Sequence, residues 1–242
     1  NGMSVANKLL QAAAGNAGEA VYVDDVFSTY LYTGNATTRS IVNGIDLDGE
    51  GGLVWIKERS DTGQHHFYDT ERGATKRIHS NSTAAEATQS DALTAFNSNG
   101  FTLGSNTQVN DSPEDTCSWT FRKQPGFFDV VTYTGNGTAG RTVSHNLGSV
   151  PGMIIVKRLN STGEWAVYHS GSSANPEQNY LWLNTTDSVR SSIAYWNDTA
   201  PTDSEFSVGT NYQVNSSGSE YVAYLFAHDA QDFGTDSDES II

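Results

Sequence analysis

The stretch FDVVTYTGNGTAG at residues 128–140 repeats, almost in full, the phrase FSTYLYTGNATT at 27–38. With the two YTGN motifs in register, the match extends through each half of the chain. GGLVWIKERS at 51–60 aligns with PGMIIVKRLN at 151–160, and FTLGSNTQVN at 101–110 aligns with FSVGTNYQVN at 206–215. Self-similarity at a fixed period indicates tandem duplication. The predicted divisions are an N-terminal helix and linker (1–24), a first copy (25–124), a second copy (125–230) and an acidic linker (231–242).

Short apolar segments in both copies alternate with clusters of Gly, Asn, Asp and Ser. They are rich in β-branched and aromatic residues, which is typical of short antiparallel strands. The predicted fold class is therefore all-β, with two tandem β-sandwich repeats of jelly-roll or lectin-like type. A short helix is predicted before them, because Ser4 can cap it and Gly15 can end it. The copies could be separate or share sheets, and we favour two sandwiches packed together. We interpret YTGN as a strand end and turn, with Gly or Asn at positive φ.

The composition excludes several classes of partner. Thirteen basic and 28 acidic residues give a net charge of −15, which disfavours nucleic acid and anionic lipid. No run approaches the roughly 18 apolar residues of a membrane-spanning helix, so no membrane insertion is expected. The single cysteine, Cys117, excludes an intramolecular disulfide, and its apolar setting in CSWTF predicts a buried hydrophobe.

Catalytic motifs are lacking in the sequence. GxSxG, HExxH, P-loop and GxGxxG patterns do not occur, so the chain is predicted not to be an enzyme. A polysaccharide-degrading enzyme is a minor alternative, and it would need two facing carboxylates that the sequence does not identify. No cofactor is expected apart from calcium. Asp46, Asp48 and Glu50 in DLDGE suit a hard cation in a turn, with a plain polar turn as the other interpretation.

The duplication acts as an internal control on the aromatic residues. Alternate strand residues share a face, so Tyr180 and Trp182 lie on one side of their strand together with Asn184. The first copy has Arg77 and His79 where the second has Tyr180 and Trp182, so the sequence predicts a solvent-facing surface in both. Three interpretations stay open for this pair: ligand contact, an interface between copies or subunits, or plain exposed aromatics.

Other tryptophans are sorted by the same comparison. Trp165 aligns with His65 and shares its strand face with His169, and Trp196 lies in a loop-like stretch where the copies diverge. We expect Trp165, His169 and Trp196 to be exposed. Residues that are apolar in both copies are predicted to belong to the core, namely Trp55 and Trp119. The candidate glycan-binding set is therefore Tyr180, Trp182, Asn184, Trp165, His169 and Trp196.

The repeated pattern, with YTGN, GLVWIK, FYDT, FNSNGFTLGS and VN in the first copy, leads into GFFDVVTYTGNGTAGRTVSHNLGSVPGMIIVK at 126–157. It resembles a family of marine bacteriophage virion proteins of the tail-fibre type, which carry such domains in tandem. The similarity covers almost the whole chain, from about Met3 to Ile242. It implies a β-sandwich array on the extracellular virion, and it implies that AHDAQDFGTDSDESII at 227–242 leads towards further repeats. It supplies neither catalytic residues nor a ligand site.

The expected function is non-catalytic adhesion of a tail fibre or similar appendage to host surface polysaccharide. Other virion proteins would be partners, and assembly into a homo-oligomer is left open. The alternative is a structural spacer or attachment module of a phage tail or capsid, with no ligand of its own. In that case the N-terminal helix, through Leu9 and Leu10, would dock the module.

Overall fold

The computed structural model describes residues 21–228 as two antiparallel β-sandwiches, one from each sequence copy. Within these residues no sheet combines strands of both copies. The prediction of an all-β sandwich fold is thus confirmed. The predicted helix around Ser4 and Gly15, and the acidic segment 231–242, lie outside the described residues.

The first sandwich consists of nine strands and two single-turn helices. In chain order they are α1 (Val23–Val26), β1 (Phe27–Thr33), β2 (Arg39–Val42), β3 (Gly52–Glu58), β4 (His66–Asp69), β5 (Lys76–His79), β6 (Ala87–Thr88), β7 (Leu93–Asn97), β8 (Gly100–Leu103), α2 (Thr107–Asn110) and β9 (Asp115–Arg122). One sheet has the order β1-β9-β3-β4-β5-β6, and the other has the order β2-β8-β7.

The second sandwich repeats this plan with eight strands. In chain order they are β10 (Phe128–Thr134), β11 (Arg141–Ser144), β12 (Pro151–Arg158), β13 (Ala166–His169), a 3₁₀ turn (Pro176–Gln178), β14 (Asn179–Trp182), β15 (Arg190–Ser191), α3 (Ile193–Trp196), β16 (Glu205–Val208), α4 (Tyr212–Asn215) and β17 (Glu220–Ala227). The large sheet has the order β10-β17-β12-β13-β14-β15, and β11 pairs with β16.

Strand alternation sends each large sheet's side chains to two different cores. In β3, Val54 and Ile56 belong to a core inside the first sandwich, whereas Leu53 belongs to a core shared with the second copy. In β12, Ile154 lies in the interior of the second sandwich and Ile155 lies in the shared core. Because both faces are buried, these strands are continuously apolar instead of alternating with polar residues.

The repeated YTGN phrase joins each copy's first strand to its own QVN motif. The Tyr32 hydroxyl donates to the Val109 carbonyl at 2.6 Å. In the second copy, the Tyr133 hydroxyl donates to the Val214 carbonyl at 2.8 Å. The glycine is required by close approach, because a Cβ on Gly34 would lie 1.9 Å from the Asp111 carbonyl oxygen. The expected positive φ occurs instead two residues further on, at Ala36.

The buried asparagine of QVN closes the same junction. Asn110 is fully buried, and its amide donates to the Gly104 and Thr37 carbonyls at 2.8 Å each. Asn215 makes the same pair of bonds to Gly209 and Thr138, at 2.7 and 2.8 Å. These hydrogen bonds join the YTGN segment to the QVN segment within each copy, which explains why both motifs occur twice.

We expect Asn110→Ala to lower the free energy of unfolding by about 2–4 kcal/mol, because it orphans two buried carbonyls and the Asn35 amide. Asn81→Ala is the matched control, since Asn81 is exposed and its Oδ1 accepts only from the His65 backbone N–H. Urea unfolding followed by tryptophan fluorescence measures both. If both variants lost the same free energy of unfolding, the Asn110 hydrogen bonds would have no special stabilising role.

The two large sheets pack face to face through a shared aromatic core. Phe121 of the first copy lies 5.6 Å from Phe226 of the second, and Phe67 lies 5.5 Å from both Trp165 and Tyr224, all between ring centroids. The described molecule is therefore four β-layers deep, with the large sheets in the middle.

A buried polar network joins the copies inside this apolar interface. Asp69 and Arg72 are ion-paired at 2.6 Å, and their side chains are 0% and 2% exposed. The Tyr224 hydroxyl donates to the same Asp69 oxygen at 2.7 Å, and the guanidinium also contacts Glu86 at 3.3 Å. Burial alone would lower the pKa of Arg72, but Asp69, Tyr224 and Glu86 outweigh it and raise that pKa. The Arg72 guanidinium therefore stays charged.

Tyr224→Phe should destabilise the protein by about 1.5–3 kcal/mol, because the buried Asp69 carboxylate loses a donor without any change of shape. Tyr30→Phe is the control, since that half-buried ring packs against the first core and should tolerate loss of its hydroxyl within about 0.5 kcal/mol. Thermal unfolding of both variants tests this. A Tyr224→Phe protein as stable as the parent would show that the network contributes nothing.

Candidate functional site

Three aromatic rings, those of Tyr180, Trp182 and Tyr195, meet at one end of the second sandwich, and the Tyr212 hydroxyl lies near enough to raise the pKa of Tyr195. We call these four residues the aromatic cluster. Strand β14 carries Tyr180 and Trp182, and α3 carries Tyr195. A backbone bond from Asn211 to the Ala194 carbonyl, 2.9 Å long, holds the start of α4 against α3 and so places Tyr212.

The rings form a layered arrangement. Tyr180 stacks on Tyr195 with centroids 3.8 Å apart, and Trp182 meets these two rings edge-on at 4.9 and 5.5 Å. Burial raises the pKa of Tyr195, and the neighbouring Tyr180 and Tyr212 hydroxyls add to that effect. Tyr195 is thus a buried, neutral floor. Tyr180 and Trp182 are half-buried above it, and Tyr212 is 56% exposed.

Polar side chains adjoin the aromatic residues along the chain and across the sheet. Gln178, two residues before Tyr180, donates to Asp198, two residues after Trp196, at 2.8 Å. Arg190 lies opposite Tyr180 in the β14–β15 pair and is ion-paired with Asp187 at 3.0 Å. Half-exposed rings beside fixed hydrogen-bonding groups can stack on a flat apolar surface and bind hydroxyls at its edge.

The expectation for Tyr180 and Trp182 therefore needs one refinement. They share a face, as strand alternation predicts, but that face packs on the second core and leaves only the outer parts of the rings accessible. The sequence comparison did not identify Tyr195 and Tyr212. In the alignment of the two copies, Tyr195 corresponds to Ala92 and Tyr212 corresponds to Thr107. Aligning the divergent loops residue by residue would have shown that both aromatic rings occur in the second copy alone.

Trp165 is not exposed, contrary to the prediction. It is 0% exposed in the shared core, and its indole N–H donates to the His79 and Ser82 carbonyls of the first copy. The polar residue His65 at the aligned position does not imply exposure of Trp165, because the two positions have different surroundings. A loop of the first copy packs on Trp165, whereas within residues 21–228 no loop of the second copy packs on His65.

Trp196 and Asn184 also have structural roles. Trp196 is 2% exposed and packs edge-on against Tyr168 at 5.9 Å, because its segment folds as α3 and not as a loop. Asn184 accepts from the Trp165 backbone N–H at 3.0 Å and donates to Glu164. Its side chain therefore joins the residues that precede β13 to the end of β14. Asn184 contacts no ring of the aromatic cluster in the bonds given above, and Trp196 contacts it from the core side, with its ring 6.5 Å from that of Tyr195.

His169 is exposed, as expected, and shares its strand face with Trp165, so it lies on the opposite side of the sheet from Tyr180 and Trp182. Its Nδ1 accepts from the Gly171 N–H at 3.0 Å. It borders a separate groove of about 380 Å³ beside Met153 and Phe226.

The calcium candidate in DLDGE is not assembled. Asp46 uses a carboxylate oxygen to accept from the Gly49 N–H at 2.8 Å, and Asp48 and Glu50 are exposed. Among residues 21–228, no three His, Cys, Asp or Glu side chains lie close enough to hold a metal ion. The polar-turn interpretation describes this segment.

Residues expected in the core are only partly there. Cys117 is buried, as predicted. Trp55 and Trp119 are half-buried, with centroids 5.0 Å apart, and Trp55 packs against the shared core.

The first copy has a buried polar group where the second has the aromatic cluster. His66 is 0% exposed and its ring lies 4.7 Å from that of His79. Burial lowers the pKa of His66 to about 3, with further lowering by His79 and Arg77. Burial likewise lowers the pKa of His79 to about 4. Both imidazoles are therefore neutral at pH 7.

These two histidines make folding sensitive to acid. Below about pH 6.5 the two imidazoles are protonated in the unfolded chain but stay neutral in the folded chain. The free energy of unfolding therefore falls as the pH drops towards 4. For His66 the loss is roughly 1.4 kcal/mol per pH unit across that window.

The substitution His66→Ala introduces the residue that the second copy carries as Ala166. It should reduce the loss of unfolding free energy on acidification by roughly 1.4 kcal/mol per pH unit. Urea titrations at pH 7, 6, 5 and 4 measure it. Val42→Ala, at a 56% exposed site, controls for truncation. An unchanged slope in His66→Ala would show that this histidine does not couple folding to acid.

A family model covers almost all of the described molecule. The model described as "Domain of unknown function (DUF7483)" matches residues 23–234. The chain belongs to the DUF7483 family. The match spans both copies, so the DUF7483 unit contains the duplicated pair. The same comparisons gave no match among curated proteins or solved structures. No helix within residues 21–228 is long and apolar enough to cross a membrane.

Proposed function

We propose that this DUF7483 protein is a non-catalytic adhesion module of a phage tail fibre or similar virion appendage that binds host surface glycans. The observation that carries the proposal is the aromatic cluster, with Tyr180 and Trp182 half-buried over a Tyr195 floor and Tyr212 exposed beside them. The resemblance to virion proteins supports the setting, with an extracellular location and other virion proteins as partners.

The physical basis for glycan binding is the match between the cluster and a sugar ring. A pyranose presents an apolar C–H face to an aromatic ring and hydroxyls at its edge. The rings supply the first contact, and Gln178, Asp198 and Arg190 lie where they can supply the second. Packing against the core holds Tyr180 and Trp182 in place, so little side-chain entropy is lost on binding.

The difference between the copies adds support. The first copy places Arg77 and His79 at the positions of Tyr180 and Trp182, and its Arg77 hydrogen-bonds to Gln108. A purely structural role would not require one copy to carry four aromatic rings and the other a buried polar group. We therefore propose a single glycan site per chain, on the second sandwich.

The test is to titrate the protein with marine polysaccharides and host envelope glycans and to measure binding by calorimetry and by intrinsic tryptophan fluorescence. Trp182→Ala should weaken binding at least tenfold, equivalent to about 1.4 kcal/mol, because it removes a stacking surface. Tyr212→Ala should also weaken binding, and its exposed position makes misfolding a poor explanation. Val42→Ala, a remote exposed apolar residue, is the control.

A second candidate function is the structural spacer or attachment module. The continuous core between the sandwiches favours it, because that core makes the pair a stiff unit. Folded protein that binds none of the glycans, or binding that Trp182→Ala and Tyr212→Ala leave unchanged, would overturn the glycan site and favour the spacer.

A further inference from the structure

Positive charge is scarce beside the aromatic cluster. Residues 125–228 include eight acidic residues and four basic ones, which are Arg141, Lys157, Arg158 and Arg190. Lys157 is fully buried and donates to two backbone carbonyls, and Arg158 is half-buried. The Arg141 guanidinium lies over a tyrosine ring of β10. Arg190 is therefore the basic residue that the sheet pairs directly with the cluster, opposite Tyr180.

Arg190 already has a carboxylate beside it. Its guanidinium is ion-paired with Asp187 at 3.0 Å, and both side chains are about half exposed. Two further carboxylates adjoin Gln178, since Glu177 precedes it in the chain and Asp198 accepts from its side-chain amide at 2.8 Å. The charges that adjoin the cluster are thus three carboxylates and one guanidinium, which make this surface net negative.

The backbone holds the Asp198 carboxylate in place. Asn197 and Asp198 have positive φ angles of 58° and 50°, a left-handed conformation that Asn and Asp adopt more readily than most residues. The Asn197 N–H donates to the Ile193 carbonyl at 2.9 Å, so this turn closes α3. Gln178 occupies Oδ1 of Asp198, and Oδ2 has no hydrogen-bond partner among the residues that the structure describes. A sugar hydroxyl that donates to Oδ2 would form a charge-assisted hydrogen bond.

We propose that the aromatic cluster binds uncharged glycan chains and discriminates against sulfated and uronate-containing ones, an inference that rests on the proposed glycan-binding function. An uncharged sugar stacks on the rings and donates its hydroxyls to the carboxylates. A sulfate or uronate on the same sugar brings negative charge close to those carboxylates, where salt screens little, because the Debye length is about 10 Å at roughly 0.1 M. Such repulsion is a common source of specificity. The net charge of −15 repels an anionic chain at longer range as well.

The test uses laminarin, dextran and mannan, each compared with its chemically sulfated form. Calorimetry at about 50 mM and about 500 mM salt measures both affinities. For a backbone whose binding Trp182→Ala weakens, the neutral form should bind at least roughly tenfold more tightly than the sulfated form at the lower salt concentration. That ratio should shrink at the higher salt concentration, because screening weakens the repulsion.

Asp198→Asn should reduce the ratio of the two affinities at least about threefold, because it removes one carboxylate charge with little change of shape. Glu220→Gln is the matched control, since it changes the net charge by the same amount. Glu220 is exposed and lies on β17, three strands away from β14 in the large sheet. The control should leave the ratio unchanged.

Two kinds of result would overturn the proposal, and they differ in what they leave standing. A sulfated chain that binds as tightly as its neutral form, with binding lost in Trp182→Ala, would refute the selectivity and leave the glycan site in place. Failure of every neutral and sulfated probe to bind, or binding that Trp182→Ala leaves unchanged, would overturn the proposed function itself and the selectivity with it.

Discussion

The ion pair of Asp69 and Arg72, buried beneath Tyr224, is the constraint on which the arrangement of the molecule depends. A buried charge pair is unfavourable unless every partner is in place, and here one partner comes from the other copy. The network therefore favours the register in which Tyr224 meets Asp69. The second copy has His169 at the position of Asp69, and the first has Trp119 at the position of Tyr224, so the network occurs once.

This single network makes a duplicated sequence asymmetric. Trp165 is buried in the shared core beneath a loop of the first copy, while Trp55 and Trp119 of the first large sheet are only half-buried. Equivalent positions have thus diverged towards different tasks. The end of the second sandwich carries the aromatic cluster, whereas the first copy has the buried His66 beside His79 at the corresponding place.

The same asymmetry separates three surfaces that the sequence places close together. Tyr180 and Trp182 face the small-sheet side of the second sandwich, His169 borders the groove on the other side, and Trp196 supports the interior. The aromatic cluster and the groove therefore lie on opposite faces of one large sheet.

The sequence by itself determined the duplication, the all-β class and the burial of Cys117, because these follow from local pattern and from periodicity. It also placed Tyr180 and Trp182 on one face, since strand alternation is fixed by backbone geometry. Only the tertiary structure decided that Trp165 and Trp196 are buried, and that Tyr195 and Tyr212 join the cluster. Burial depends on what packs above a strand, and here that is the other copy or a one-turn helix, which no property of the strand itself encodes.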